Sequence, residues 1–188
     1  MKKIITSLAL FFILCTPLQA RELASVTVPD QISVGDHFFL DLNGMGLREK
    51  FWIDIYVGSL YLAKPSSNIG EILSQPTPLR IQLDFVYKEV TPDKLLDGWK
   101  EGFEKNQSEQ TLKKLHSRIE KFYGFFSDSA RKGDQYIFDY IPDQGTSVSK
   151  NGVLLGTIEG EDFKNALVEI WLGNKPADKD LKRGMLGL

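Results

Sequence analysis

A few polar side chains in this 188-residue chain could do chemistry, and Arg48 is the strongest candidate. Arg48 follows Gly44-Met45-Gly46, which we predict to be a tight turn. It precedes a predicted strand whose even positions include Trp52, Asp54 and Tyr56. A few oriented polar groups beside apolar side chains are typical of a ligand pocket. The alternative is that Arg48 pairs with Asp54, Glu49 or solvent and only holds the turn in place.

Other short motifs match a catalytic or cofactor-binding spacing but lack the setting that the chemistry needs. Ser147 and Lys150 form a Ser-x-x-Lys pattern at the end of a predicted strand, where the two positions point to opposite faces. Gly44-Met45-Gly46 lacks the third glycine and the following helix of a dinucleotide-binding loop. Two histidines and one cysteine are too few for a His/Cys metal site. We therefore predict no cofactor, no metal and no catalytic residue of these classes.

Composition and charge narrow the class of protein further. The chain is 42% hydrophobic and 26% charged, which is typical of a globular protein. A net charge of −2 gives no overall attraction to a phosphate backbone, so we expect no nucleic-acid partner.

Residues 1–20 are predicted to be a secretory signal peptide, cleaved after Ala20. Lys2 and Lys3 form a basic start, Ile4–Leu14 is almost wholly apolar, and Ala20 is small. No later stretch of about 18 apolar residues could span a membrane, so we expect no integral membrane segment after cleavage. Residues 21–188 are predicted to form a single domain, without cysteine, in the bacterial periplasm.

Hydrophobic periodicity predicts an antiparallel sheet with separate helices, the α+β class. The predicted strands are Ser25–Val28, His37–Leu42, Phe51–Leu62, Leu79–Tyr87, Gln135–Ile141, Thr146–Val148 and Val153–Ile158. The predicted helices are Thr91–Asn106, Leu112–Phe126, Gly160–Leu172 and Lys179–Leu186. In the third strand the odd positions from Phe51 to Val57 are predicted to form the apolar face.

Two signatures in the sequence resemble the chalcone isomerase fold family, in its bacterial chalcone isomerase-like branch. The first is Leu42–Arg48 running into Ile55–Leu62, and the second extends from Asn151-Gly152 through Ile170–Gly173 to Leu181-Lys182. The resemblance implies an open-faced β-sandwich in which a large antiparallel sheet is covered by a layer of helices. It also implies a ligand cleft between the sheet and the helices.

The resemblance gives Arg48 a role in that cleft. The plant enzymes of the family, which close a flavanone ring, use an arginine, a threonine, a tyrosine and an asparagine. Arg48 matches the arginine, but Tyr56 stands in the threonine's place. The helix Thr91–Asn106 has no tyrosine, and its asparagine lies at the far end. Fatty-acid-binding relatives use an arginine and a tyrosine to hold a carboxylate, and Arg48 with Tyr56 fits that pair better.

The resemblance therefore favours a non-enzymatic periplasmic protein that binds a small amphipathic carboxylate, such as a fatty acid, through Arg48 and Tyr56. One alternative is an isomerase or lyase acting on a conjugated ketone, with Arg48 polarising the carbonyl oxygen. Another is a structural or partner-binding domain whose cleft is vestigial and filled by Trp52 and Tyr56. Asp54 lies on the same predicted strand face and would repel a carboxylate unless it is paired or turned aside.

Overall fold

The computed structural model describes residues 20–35 and 37–188. The predicted signal peptide lies outside the described residues except for Ala20, the first residue of strand β1. The strands are Ala20–Leu23 (β1), Val26–Pro29 (β2), Gln31–Val34 (β3), Phe38–Lys50 (β4), Ile53–Leu62 (β5), Leu79–Phe85 (β6), Glu89–Val90 (β7), Ala130–Arg131 (β8), Gln135–Ile141 (β9), Gly145–Lys150 (β10) and Val153–Ile158 (β11). The helices are Ile69–Ser74 (α1), Pro92–Asn106 (α2), Glu109–Tyr123 (α3), Glu161–Leu172 (α4) and Lys179–Met185 (α5).

Seven of the strands form one antiparallel sheet in the order β11-β10-β9-β6-β5-β4-β3. The hairpin β1–β2 and a short antiparallel pair, β7–β8, stand beside it, and α2 and α3 connect β7 to β8. The helices pack on one face of the large sheet, so the predicted α+β open-faced β-sandwich is confirmed. Among the described residues no helix is both long and apolar enough to cross a bilayer.

The main core lies between this sheet and the helices. In β6 the predicted alternation is confirmed, because Leu79, Ile81, Leu83 and Phe85 are all buried on the helix side. Helix α2 contributes Trp99, whose ring lies 5.1–5.9 Å from four other aromatic rings. Tilted and edge-on ring pairs of this kind add to the free energy gained from burial alone.

The helices begin where the sequence supplies a start signal. Thr91 is the N-cap of α2 and Pro92 opens it, as predicted, although the Thr91 side chain makes no capping hydrogen bond. Helix α3 starts earlier than predicted, because the Ser108 side chain accepts a hydrogen bond from the Thr111 backbone N–H. It also ends earlier, at Tyr123, while Phe126 is buried beyond its end.

The predicted turn at Gly44-Met45-Gly46 is wrong, because these residues lie inside β4. Neither glycine has a positive φ. Both are needed for another reason, since the backbone of α5 lies directly on β4. A Cβ on Gly44 would overlap the Gly184 carbonyl oxygen, and one on Gly46 would lie 2.5 Å from the Leu181 carbonyl oxygen. The missing side chains let helix and strand touch backbone to backbone.

The turn between β4 and β5 is Phe51-Trp52. The predicted strand Phe51–Leu62 is therefore wrong at its first two residues. Both residues have positive φ, 54° and 60°. Lys50 pairs with Ile53 across the turn, so the two strands are joined by a two-residue loop of the left-handed type.

Candidate functional site

A cleft of about 350 Å³ lies between the sheet and the first half of α2. Its walls are mainly apolar and come from the start of β5, the end of β6 and α2. The lining includes Ile53, Ile55, Tyr56, Phe85, Val90, Leu95, Gly98 and Trp99. Charged residues also border it, namely Arg48, Lys50, Glu89, Lys94, Asp97 and Glu101. A concave apolar site with a few polar groups is the usual form of a small-molecule site.

Arg48 and Tyr56 meet in this cleft because they face each other across the β4–β5 ladder. Arg48 Nη1 donates a hydrogen bond to the Tyr56 hydroxyl at 3.4 Å. On the other side Trp171 Nε1, from α4, donates to the same oxygen at 3.0 Å. Tyr56 is only 3% exposed, so these two donors and the ladder fix its position. The hydroxyl accepts both bonds, and its own proton stays available for a third partner.

Arg48 forms no ion pair with the described residues, although the carboxylates of Asp178 and Glu101 lie near enough to act on its charge. It is half-buried, and no carboxylate oxygen of the described residues lies within 4.0 Å of its guanidinium. Its Cζ lies 5.6 Å from the centre of the Tyr56 ring. The contact with Tyr56 raises the pKa of Arg48 above its ordinary value, against the opposing effect of burial. The cleft therefore holds a permanent positive charge that is incompletely solvated.

A β-bulge in β5 decides which side chains reach the cleft. Arg48 pairs with Tyr56 but Glu49 pairs with Asp54, so Ile55 is an extra residue without a partner. The bulge puts Ile53 and Ile55 in the cleft on the same side as Tyr56, whereas Asp54 does not line it. The single odd-numbered apolar face predicted for this strand is thus wrong, because the alternation changes phase at the bulge. Asp54 is turned aside, as a carboxylate ligand would require.

Trp52 is not in the cleft either. It is 91% exposed at the β4–β5 turn, so the expectation that it could fill the cleft is wrong. Tyr56 forms one wall and leaves the space beside it open.

The remaining candidate residues make hydrogen bonds to backbone groups elsewhere in the fold. Asn106 does not line the cleft. Its side chain donates to the Gly102 and Lys175 carbonyl oxygens and accepts from the Lys175 N–H. Ser147 and Lys150 donate to different backbone carbonyls, those of Asp139 and Ser129. The described residues contain no group of three or more His, Cys, Asp or Glu side chains that could hold a metal ion.

Sequence reasoning did not assign Trp171 or Trp99 to the site. Trp171 had been placed only on the apolar face of its helix, although a buried indole N–H needs an acceptor. Trp99 lines the cleft, and its buried Nε1–H has no acceptor among residues 20–35 and 37–188. Tyr87, four residues before Thr91, also lines the cleft.

Comparison with known proteins defines the class of protein. The sequence model of the chalcone isomerase-like family matches residues 20–187, and the chain therefore belongs to this family. A crystal structure of a fatty-acid binding protein from Arabidopsis thaliana superimposes with a TM-score of 0.70. The match covers 89% of this chain and 96% of that one at 17% sequence identity, so the two proteins share a fold. No curated protein matches the sequence.

Proposed function

We propose that this protein binds a small amphipathic carboxylate, such as a fatty acid, and does not transform it. The observation that carries the proposal is the unpaired Arg48 guanidinium beside the Tyr56 hydroxyl in an apolar cleft. A carboxylate would give both groups the hydrogen-bond acceptor that they lack, because its oxygens can accept from the Arg48 N–H groups and from the Tyr56 O–H. The fatty-acid binding protein of the same fold supports this choice of ligand.

The two ends of such a ligand contribute unequally to its binding. Burial of an acyl chain gives roughly 0.8 kcal/mol per methylene before ordering costs. A charge-assisted hydrogen bond adds only about 1.5–3 kcal/mol. The tail therefore supplies most of the affinity, and Arg48 with Tyr56 fixes where the carboxylate lies. The volume of about 350 Å³ is near the lower end for ligand sites, which favours a medium-length chain.

Rigidity of the head-group site supports a binding role. Trp171 holds the Tyr56 hydroxyl from behind, so little ordering is needed when the carboxylate arrives. The acids around the cleft are partly neutralised, because Glu101 pairs with Lys105 and Glu89 with Arg131.

The geometry favours binding over ring closure of a conjugated ketone. Of the four polar residues that the plant enzymes use, only the arginine has a counterpart in this chain, Arg48. Asn106 is held at the far end of α2 by backbone groups.

The test is calorimetric titration of dodecanoic acid and its methyl ester into delipidated protein. Arg48→Ala should weaken binding of the acid by about one to two decades, because it removes a charged hydrogen bond. The ester carries no full charge, so its affinity should change far less. Equal acid and ester affinities in both proteins, together with a lower melting temperature for the variant, would show that Arg48 is only structural.

A second variant tests the tail site without touching the polar groups. Gly98 lines the cleft, and a Cβ built on it meets no atom within 4 Å. Gly98→Leu should therefore fill the cleft and weaken binding of acid and ester alike. Its matched control is Glu104→Leu, which places the same side chain at an exposed position of the same helix that does not line the cleft. If Gly98→Leu binds dodecanoic acid as the wild type does, the ligand lies elsewhere.

We also propose that the protein is exported to the periplasm after cleavage behind Ala20. The support is the pattern of residues 1–20 alone. The full chain should be expressed in a Gram-negative bacterium, fractionated and sequenced from its N-terminus. Periplasmic protein beginning at Arg21 is expected, and uncleaved cytoplasmic protein would refute the proposal.

A further inference from the structure

The β4–β5 turn exposes large apolar side chains that the fold does not need. Phe51 is 79% exposed, Trp52 is 91% exposed and Ile53 is 42% exposed. We call these three residues the aromatic tip. Single exposed apolar residues are common on protein surfaces, but three consecutive ones at a protruding turn indicate an interaction site.

The backbone makes these residue types an unfavourable choice for the turn. Phe51 and Trp52 both adopt positive φ, which bulky residues rarely do. The β10–β11 hairpin has a turn of the same left-handed kind and uses Asn151-Gly152, with φ of 51° and 79°. Asn-Gly is the preferred sequence for such a turn. The same chain thus contains the favourable solution at one hairpin and two strained aromatic residues at the other, and strain of this kind points to function.

The aromatic tip adjoins the entrance of the proposed ligand cleft. Phe51 and Ile53 line the cleft and are also exposed to solvent. A ligand that enters or leaves at this end passes directly beside them.

Strand directions place a second apolar tip at the same end of the sheet. Tyr56 pairs with Phe85 at the end of β6, and Asp84 pairs with Gln135 at the start of β9. The β10–β11 turn therefore lies at the same sheet end as the aromatic tip. Beside it Val153 is 66% exposed and Leu154 is 64% exposed. The two hairpins are four strand spacings apart, roughly 19 Å.

We propose that this end of the sheet docks on a lipid bilayer, with the aromatic tip inserted into the headgroup region. The inference rests on the proposed function. An amphipathic ligand that is sparingly soluble in water resides in membranes, so a protein that binds it must reach the membrane surface. Aromatic side chains are the residues that settle at such interfaces. Two apolar tips at one sheet end give a two-point contact with a plane, and the cleft between the sheet and α2 is lined by Phe51 and Ile53 at that same end.

Charges near the tip indicate what drives the docking. At the aromatic tip itself Lys50 follows Glu49, which faces Asp54 across the ladder, so the tip has no excess of positive charge. We therefore expect burial of the apolar side chains of the tip to drive the docking. Binding to neutral phosphatidylcholine vesicles should be strong enough to measure and should change little between low and high salt.

Trp52 provides an internal probe for the experiment. The chain has three tryptophans, and the other two, Trp99 and Trp171, are buried. On addition of phosphatidylcholine vesicles to ligand-free protein, tryptophan emission should shift to shorter wavelength. Lipids brominated near the headgroup should quench it.

The test variant is Phe51→Asn combined with Trp52→Gly, which removes the aromatic rings and installs the preferred turn sequence. Sedimentation with vesicles should show partitioning weakened by about tenfold to a hundredfold. The matched control is Phe39→Ser, an equally apolar site that is 70% exposed at the opposite end of β4. Phe39→Ser should bind vesicles as the wild type does.

Several outcomes would overturn the proposal. These are no vesicle binding by the wild type, equal binding by the double variant, or equal loss in Phe39→Ser. A dimer in solution that buries the aromatic tip would also overturn it, since the occupant would then be a second copy. Arg48→Ala should keep vesicle binding, so a failure of the carboxylate site and a failure of membrane docking give different results.

Discussion

Removal of the Tyr56 hydroxyl should destabilise the protein even without a ligand. In Tyr56→Phe the Trp171 N–H loses its acceptor at 3.0 Å, and Trp171 is fully buried. An orphaned buried donor costs about 1–3 kcal/mol. The Arg48 bond is long, at 3.4 Å, and Arg48 is only half-buried, so water can replace that partner at little cost. The free energy of unfolding should therefore fall by about 1–3 kcal/mol, nearly all of it through Trp171.

Urea denaturation followed by circular dichroism measures this loss, and a thermal scan should show a melting temperature lower by about 2–4 °C per kcal/mol. Tyr123→Phe is the matched control, because the half-buried Tyr123 hydroxyl makes no hydrogen bond to the described residues. It should change stability by less than about 0.5 kcal/mol.

A double-mutant cycle with Trp171→Phe separates the hydrogen bond from general packing. The Trp171→Phe variant has no indole N–H that could lose its acceptor. In that background Tyr56→Phe should therefore lower the free energy of unfolding markedly less than it does in the wild type. An equal cost in both backgrounds, or no cost in either, would refute the reasoning.

Three further predictions concern stability and activity. Burial raises the pKa of three phenols to about 12, those of Tyr61, Tyr123 and Tyr136. The unfolded chain releases these protons near pH 10, so the free energy of unfolding should fall as the pH rises from about 10 to 12; tyrosinate absorbance and urea midpoints check this. Gly46→Ala should lower the free energy of unfolding by about 2 kcal/mol or more, whereas Gly98→Ala in α2 should raise it by about 0.5–1 kcal/mol in the same urea assay. The mature protein should not accelerate chalcone cyclisation above the uncatalysed rate in a spectrophotometric assay; turnover that disappears on Arg48→Ala would contradict this.

Much of the fold could be predicted because its elements carry strong local patterns. The alternation in β6, the Thr91-Pro92 start of α2 and the Asn151-Gly152 turn each depend on neighbouring residues alone. The short elements α1, β1 and β3 have too few residues for a periodic signal and were not predicted.

The site was less predictable because it depends on contacts between distant parts of the chain. Arg48 and Tyr56 could be paired only through the family resemblance, because the sequence pattern placed Arg48 after a turn and not on β4, where it faces Tyr56. Trp171 lies 115 residues from Tyr56 in the chain, and no neighbouring residue of either indicates that the Trp171 N–H donates to the Tyr56 hydroxyl. The glycines at 44 and 46 gave a misleading signal, because close approach of α5 and a tight turn both require glycine.

The bulge at Ile55 decides whether the even-numbered or the odd-numbered residues at the start of β5 line the cleft, and so whether its wall is polar or apolar. With regular pairing the same residues would turn Asp54 toward Arg48 and both isoleucines toward the other face. A gap-free alignment of two distant relatives, only one of which has the bulge, would equate a cleft residue with an outward-facing one. Chemical similarity at single aligned positions is then uninformative on one side of the bulge. Within this family, ligand residues on β5 must be matched by their partner on β4 and not by their count along the chain.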